Sequence, residues 1–142
     1  MPASGNTPAV LVDTSVAVAL VVADHEDHED TFRALRRRAL GLAGHAAFET
    51  FSVLTRLPPP ARRTPATVAQ LLTRTFPETK FLGAGAAASL LSELGAAGIA
   101  GGAVYDALVG AVANEYRLTL ATRDRRAMEV YRTLDVDIEL LG

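Results

Sequence analysis

Ala9-Val10-Leu11-Val12-Asp13-Thr14-Ser15-Val16 is the stretch on which the reading of this chain turns. Four apolar residues, too few for a helix and well suited to a buried strand, run directly into a carboxylate. Thr14 or Ser15 can then cap a helix that continues to about Val22. Strand, acid and helix in that order form the repeating unit of parallel α/β sheets. Asp13 thereby falls at the carboxyl end of the first strand, the rim where such sheets gather their ligands.

Working outward, the same alternation recurs. Asp24-His25-Glu26-Asp27-His28-Glu29-Asp30 opens a second helix expected to reach Leu40, with acids at its start and Arg36-Arg37-Arg38 near its end, the order favoured by the helix dipole. Gly41 to Gly44 allows a brief strand, and His45 to Leu57 reads as an apolar helix stopped by Pro58-Pro59-Pro60. Pro65 starts a helix to Thr75, and Pro77 closes it. Thr79 to Leu82 reads as a strand and Ala84 to Ala97 as a helix, with Gly98, Gly101 and Gly102 as a hinge. Ala103 to Tyr116 is apolar almost all round, which predicts a buried helix. Leu118 to Ala121, Arg125 to Leu134 and Val136 to Leu141 follow as strand, helix and strand. The pattern predicts an α/β fold, an α/β/α sandwich on a mainly parallel central sheet.

The 142 residues suit a single domain spanning 1–142, with Met1 to Pro8 too small and polar to be expected in an ordered element. Cysteine is absent, which excludes disulfides and thiolate zinc sites and fits a reducing cytoplasm. No Lys or Arg precedes Arg33, against a basic secretory leader, and the longest apolar run, Val16 to Ala23, is too short for a membrane span. A cytoplasmic protein without membrane contact is expected. A net charge of −2 argues against a general polyanion binder. The basic residues are nevertheless almost all Arg, with Lys80 the single lysine, and Arg forks bind phosphate bidentately. Mean hydropathy is positive, +0.21, which suggests an apolar surface covered by a partner or a second copy.

Four acids stand in apolar surroundings: Asp13, Glu49 in Phe48-Glu49-Thr50, Asp106 in Tyr105-Asp106-Ala107 and Asp124 in Thr122-Arg123-Asp124. An acid among apolar neighbours is desolvated at a cost or holds something positive. Asp13 and Asp124 each follow a strand and can share one rim. Glu49 and Asp106 sit on apolar helices and are expected to face inward. Each has an ordinary explanation as a helix cap, ion-pair partner or turn residue. As an ordered set they point to a shared hard cation, Mg²⁺ or Mn²⁺, and so to phosphate chemistry. Arg123, Arg125 and Arg126 flank the last acid and are candidates for RNA contact or for salt bridges.

Leu11-Val12-Asp13-Thr14-Ser15-Val16, Phe48-Glu49-Thr50, Val104-Tyr105-Asp106-Ala107-Leu108 and Ala121-Thr122-Arg123-Asp124, in that order, resemble the PIN-domain nucleases, and more narrowly the VapC-type toxins of bacterial toxin–antitoxin pairs. The resemblance runs from about Val10 to Leu141. It implies a metal-dependent endoribonuclease silenced by a cognate antitoxin, with RNA as substrate. The family's acidic quartet maps onto Asp13, Glu49, Asp106 and Asp124 as metal-binding and catalytic residues, Asp13 and Asp106 foremost as direct ligands. Thr122 matches a hydroxyl that orients a carboxylate or water. Ala127 stands where some relatives carry a further Asp or Asn, so one metal or two remain open. A homodimer or a toxin–antitoxin hetero-oligomer is the implied assembly.

Other readings compete. A PIN-fold nuclease of RNA processing outside a toxin–antitoxin pair, or a non-catalytic PIN-like binding module, would share this pattern. A phosphotransfer domain wants a second acid beside Asp13 and a placed lysine, and has neither. His25 and His28 miss both helical zinc spacings, and the glycines at 95–102 lack a strand before them and a Gly-Lys-Ser/Thr after. No base-stacking platform is evident among the Phe and Tyr residues.

Overall fold

The computed structural model describes residues 7–142; most of the expected disordered start, Met1 to Asn6, lies outside them. β1 (Val10–Val12) leads through Asp13 into α1 (Thr14–Val21). α2 (His28–Leu35), β2 (Leu40–Leu42), α3 (His45–Thr55), α4 (Pro65–Thr75), α5 (Ala84–Ala97) and α6 (Ala103–Tyr116) come next. β3 (Thr119–Thr122), a 3-10 turn (Arg125–Ala127), α7 (Met128–Thr133) and β4 (Ile138–Leu140) follow. The sheet order is β2-β1-β3-β4 with all three strand pairings parallel.

Alternation along β1 divides the core into two layers. Val10 and Val12 pack with Val16, Leu35, Leu54, Val68 and Phe76. Leu11, between them, packs on the opposite face with Ala46, Val109, Val112, Leu120 and Tyr131. Helices therefore cover both faces of the sheet, giving the expected α/β/α sandwich. Because β1 is short and buried on both sides, Leu11→Ala is expected to cost about 2–5 kcal/mol.

The chain leaves β1 to form β2 on one side and returns to place β3 on the other. A topological switch point thus lies between the carboxyl ends of β1 and β3, where a crevice opens. Asp13 follows one of these strands directly and Asp124 follows the other after one residue.

Several elements differ from the sequence reading. The segment 79–82 is not a strand: a single parallel bridge, Ala43 to Lys80, ties it to the sheet. The Thr79 hydroxyl takes the Leu42 N–H at 2.9 Å where a neighbouring strand's carbonyl would stand, so the ladder stops after one step. Gly41 is needed beside it, since a Cβ there would lie 2.1 Å from the Glu78 carbonyl oxygen. α2 is shorter than expected at both ends, because turns occupy 24–27 and Leu40 is drawn into the sheet. α6 buries one side only: Ala107, Val109, Gly110, Val112 and Ala113 face the core, while Tyr105 and Tyr116 are exposed. Among the described residues no helix is long and apolar enough to cross a membrane.

Candidate active site

Asp13 is the most constrained residue of the crevice, 4 % exposed and the N-cap of α1. Its Oδ1 accepts from the Ser15 hydroxyl at 2.6 Å and from the Val16 N–H at 3.2 Å. Its Oδ2 accepts from the Thr122 hydroxyl and, at 3.1 Å, from the Tyr131 hydroxyl. A carboxylate offers roughly four lone-pair sites, and here four donors meet them. Burial pushes the Asp13 carboxyl above its ordinary pKa, opposed by the hydrogen bonds from Ser15, Thr122, Val16 and Tyr131.

The same hydroxyls stitch two strand ends together. Ser15 Oγ also accepts the Arg123 N–H at 2.9 Å, and Thr122 Oγ1 accepts the Asp124 N–H at 3.0 Å. Asp124 in turn caps the 3-10 turn through the Arg126 N–H at 3.0 Å. The β1 and β3 rims are therefore locked in register by side chains as well as by the ladder.

Asp106 and Glu49 come from the helices. Asp106 lies in the first turn of α6, half-buried, and accepts no hydrogen bond from any described residue. Burial raises its pKa, and the charges of Asp124, Glu49 and Asp13 raise it further against the opposing pull of Arg126. Glu49 is not the inward-buried acid expected: its side chain is 42 % exposed and looks into the open crevice from α3. The Thr14 hydroxyl donates to it at 3.3 Å, and His45 Nε2 stands 3.9 Å away. His45 stacks on Tyr105, ring centroids 5.0 Å apart and planes 19° from parallel, so an aromatic pair does border the site.

All four acids, with Thr14, Ser15, Val109 and Tyr131, line one cavity of about 80 Å³. Among the described residues no three acid or histidine side chains form a ready-made ligand cage. The donor set is nonetheless all oxygen, and Asp106, which accepts no hydrogen bond from any described residue, stands among three other carboxylates with Arg126 as the opposing charge. These residues fit a hard divalent cation that keeps several of its waters.

The three flanking arginines separate. The Arg123 guanidinium points away from the acids: it is 12 % exposed, paired with Asp27 at 3.0 Å and donating to Thr31 at 3.2 Å. Arg125 donates to the Gly142 carbonyl at 3.2 Å. Arg126 stays beside the site, Nε 3.5 Å from Asp124 and 93 % exposed. It also lines, with Asp106 and Ile99, a second cavity of about 400 Å³ that adjoins the acids. Ser15 and Tyr131 carry no flag in the sequence as site residues. The two hydroxyls after Asp13 hinted at the first; a lone buried tyrosine reads as core.

The PIN domain family profile matches residues 10–133. The chain belongs to the PIN-domain family, in its VapC branch. Ribonuclease VapC27 of Mycobacterium tuberculosis (strain ATCC 25618 / H37Rv) is 44 % identical over 131 residues, 92 % of this chain and 96 % of the relative. Among solved structures, M. tuberculosis VapC20, a toxin that cleaves the sarcin–ricin loop, superposes with a TM-score of 0.68 at 19 % identity, covering 86 % of this chain and 95 % of that one. VapBC2 from Rickettsia felis, bound to a fragment of its promoter DNA, gives 0.67 at 14 % identity, covering 95 % and 100 %. At these identities the two structures show a shared fold.

Proposed function

We propose that this PIN-domain protein is a metal-dependent endoribonuclease toxin that hydrolyses RNA phosphodiester bonds and is neutralised by a cognate antitoxin. The observation that carries the reading is Asp106, an acid without a hydrogen-bond partner among the described residues, which shares one small cavity with three other carboxylates and whose pKa is raised by burial and then by their charges. The name borne by a relative 44 % identical along nearly its whole length supports ribonuclease chemistry there.

Asp106, Asp124 and Glu49 would hold Mg²⁺ or Mn²⁺, with Asp13, whose lone pairs are already met by four donors, beside them. Bound there, the ion would relieve carboxylate repulsion and supply an acidified water for attack on phosphorus. Asp13 contributes fixed negative charge, since its carboxylate is pinned by four donors. Thr122 ties Asp13 to the Asp124 backbone and so sets the spacing of the two acids. Arg126 offers an exposed guanidinium fork to a phosphate oxygen beside them.

The antitoxin reading rests on VapC kinship and on the apolar character of the chain, which also supports a homodimer or a toxin–antitoxin hetero-oligomer. A cytoplasmic site of action follows from an RNA substrate. The test is incubation of total cellular RNA with purified, antitoxin-free protein in Mn²⁺ or EDTA, with Asp106→Asn as control. Discrete fragments that need both Mn²⁺ and Asp106 are expected. A folded, Mn²⁺-binding wild type that leaves every RNA intact overturns the ribonuclease reading.

A further inference from the structure

We propose that Tyr131 is a positioning residue of this site, acting through Asp13 to set the geometry in which the acids take up a divalent cation. The inference rests on the metal-site reading above and extends it to a residue outside the acidic quartet.

Tyr131 comes from α7, 118 residues from Asp13, and is 1 % exposed. Its ring packs with Leu11, Val109, Val112 and Leu120 in the core layer beneath the crevice. Its position is fixed by shape as well as by burial. Gly110 of α6 leaves bare backbone beneath the ring, and a Cβ there would lie 3.3 Å from Tyr131 Cδ1 and 3.0 Å from Val136 Cγ2. Phenylalanine would fill the same apolar space without bringing a hydroxyl into the core, where an unpaired one is costly. The hydroxyl reaches instead to Asp13 Oδ2, sharing that oxygen with the Thr122 hydroxyl.

The two donors play different parts. Thr122 belongs to β3 and shares its hydroxyl with the Asp124 N–H, so it follows the rim. Tyr131 comes from α7 and is packed in the core layer, so it holds the carboxylate from a second element. Without it Oδ2 keeps one donor in place of two, and that oxygen is held from β3 alone. Outer-shell groups that orient the acids of a metal site characteristically change metal affinity or activity by about 10–100-fold when removed. Tyr131 lines the cavity from the core side, so its loss acts on the cation and leaves RNA contacts intact.

The decisive comparison is the Mn²⁺ dissociation constant, by calorimetric titration, of wild type and Tyr131→Phe, with RNA cleavage measured in parallel. Tyr131→Phe is expected to fold, to bind Mn²⁺ about 10-fold more weakly, and to lose kcat with KM for RNA unchanged. Gly110→Ala keeps the hydroxyl but presses on the ring, and is expected to weaken Mn²⁺ in the same direction by a few-fold. A folded Tyr131→Phe that binds Mn²⁺ as tightly as wild type, or more tightly, overturns the proposal and reduces Tyr131 to a core residue. If wild type binds Mn²⁺, the variant weakens it, and neither cuts RNA, the ribonuclease reading falls while the positioning role stands. A wild type that binds no Mn²⁺ overturns both.

Discussion

Arg123 lies between Thr122 and Asp124 in sequence, yet its guanidinium is 3.0 Å from Asp27 at the foot of α2, turned away from both. Only its backbone serves the crevice, through the N–H that Ser15 accepts. The side chain instead fastens the α1–α2 turn to the end of β3. Arg126, three residues on, is exposed beside Asp124. Arg123→Ala is therefore expected to lower stability by about 1–3 kcal/mol, since it leaves Asp27 unpaired and Thr31 without its donor. Arg126→Ala is expected to leave stability within about 0.5 kcal/mol and to weaken RNA binding with a shallower salt dependence. Urea unfolding and salt-titrated RNA binding on both variants check the division. Equal RNA defects in the two would refute it.

That division shows where the sequence was readable and where it was not. The helices Pro65–Thr75, Ala84–Ala97 and Ala103–Tyr116 occupy the residues expected of them, because their ends are set locally by Pro65 and by glycines such as Gly98, which takes up a left-handed φ of 70°. The rim position of Asp13 and Asp124 was legible for a similar reason, each coming just after a short apolar strand. The Arg123–Asp27 pair and the Tyr131–Asp13 bond join residues about a hundred positions apart, and no local rule selects one partner among many. Glu49 is part-exposed despite apolar neighbours on both sides in sequence, because neighbours along a helix do not share its buried face. Phe48 beside it is itself exposed, so α3 turns part of its apolar residues outward.

Acidity should act on the metal-free protein in an unusual direction. Asp13 and Asp106 both have folded-state pKa values above the ordinary 3.8, with burial the leading cause for each. The native state then binds more protons than the unfolded chain between that value and the raised ones, so these two groups contribute stability at low pH that is lost as pH rises. On acidification toward the ordinary carboxylate range, metal-free wild type is expected to gain melting temperature relative to Asp106→Asn, which lacks one of the two groups. Identical pH slopes for the two proteins in EDTA would contradict the assignment.

Asp106→Asn also separates stability from activity. Without metal, removing a charge that has no hydrogen-bond partner among the described residues relieves repulsion from Asp124, Glu49 and Asp13, so the variant should melt at or above the wild-type temperature. With saturating Mn²⁺ the order should reverse: a ligand at about 100 times its dissociation constant adds about 2.7 kcal/mol to wild type and less to a variant that binds it poorly. RNA cleavage should fall by at least about 100-fold. Melting curves in EDTA and in Mn²⁺ test the crossover. A variant less stable than wild type in EDTA would mean that Asp106 is held by a favourable contact after all.

Ser15 offers the sharpest test of how the two strand ends are joined. Its hydroxyl donates to Asp13 Oδ1 at 2.6 Å and accepts the Arg123 N–H at 2.9 Å, so one atom connects the start of α1 to the end of β3. Ser15→Ala strands a partly buried backbone N–H and removes one of four donors from a buried carboxylate, for an expected loss of about 1–3 kcal/mol. Ser15→Thr can keep both bonds and should restore most of it. Thr14, whose hydroxyl reaches Glu49 at 3.3 Å in the open part of the crevice, should tolerate alanine with a loss of under about 1 kcal/mol. If Ser15→Ala and Thr14→Ala prove equally mild, the rim is held by the β1–β3 ladder alone, and the hydroxyls serve only to satisfy Asp13.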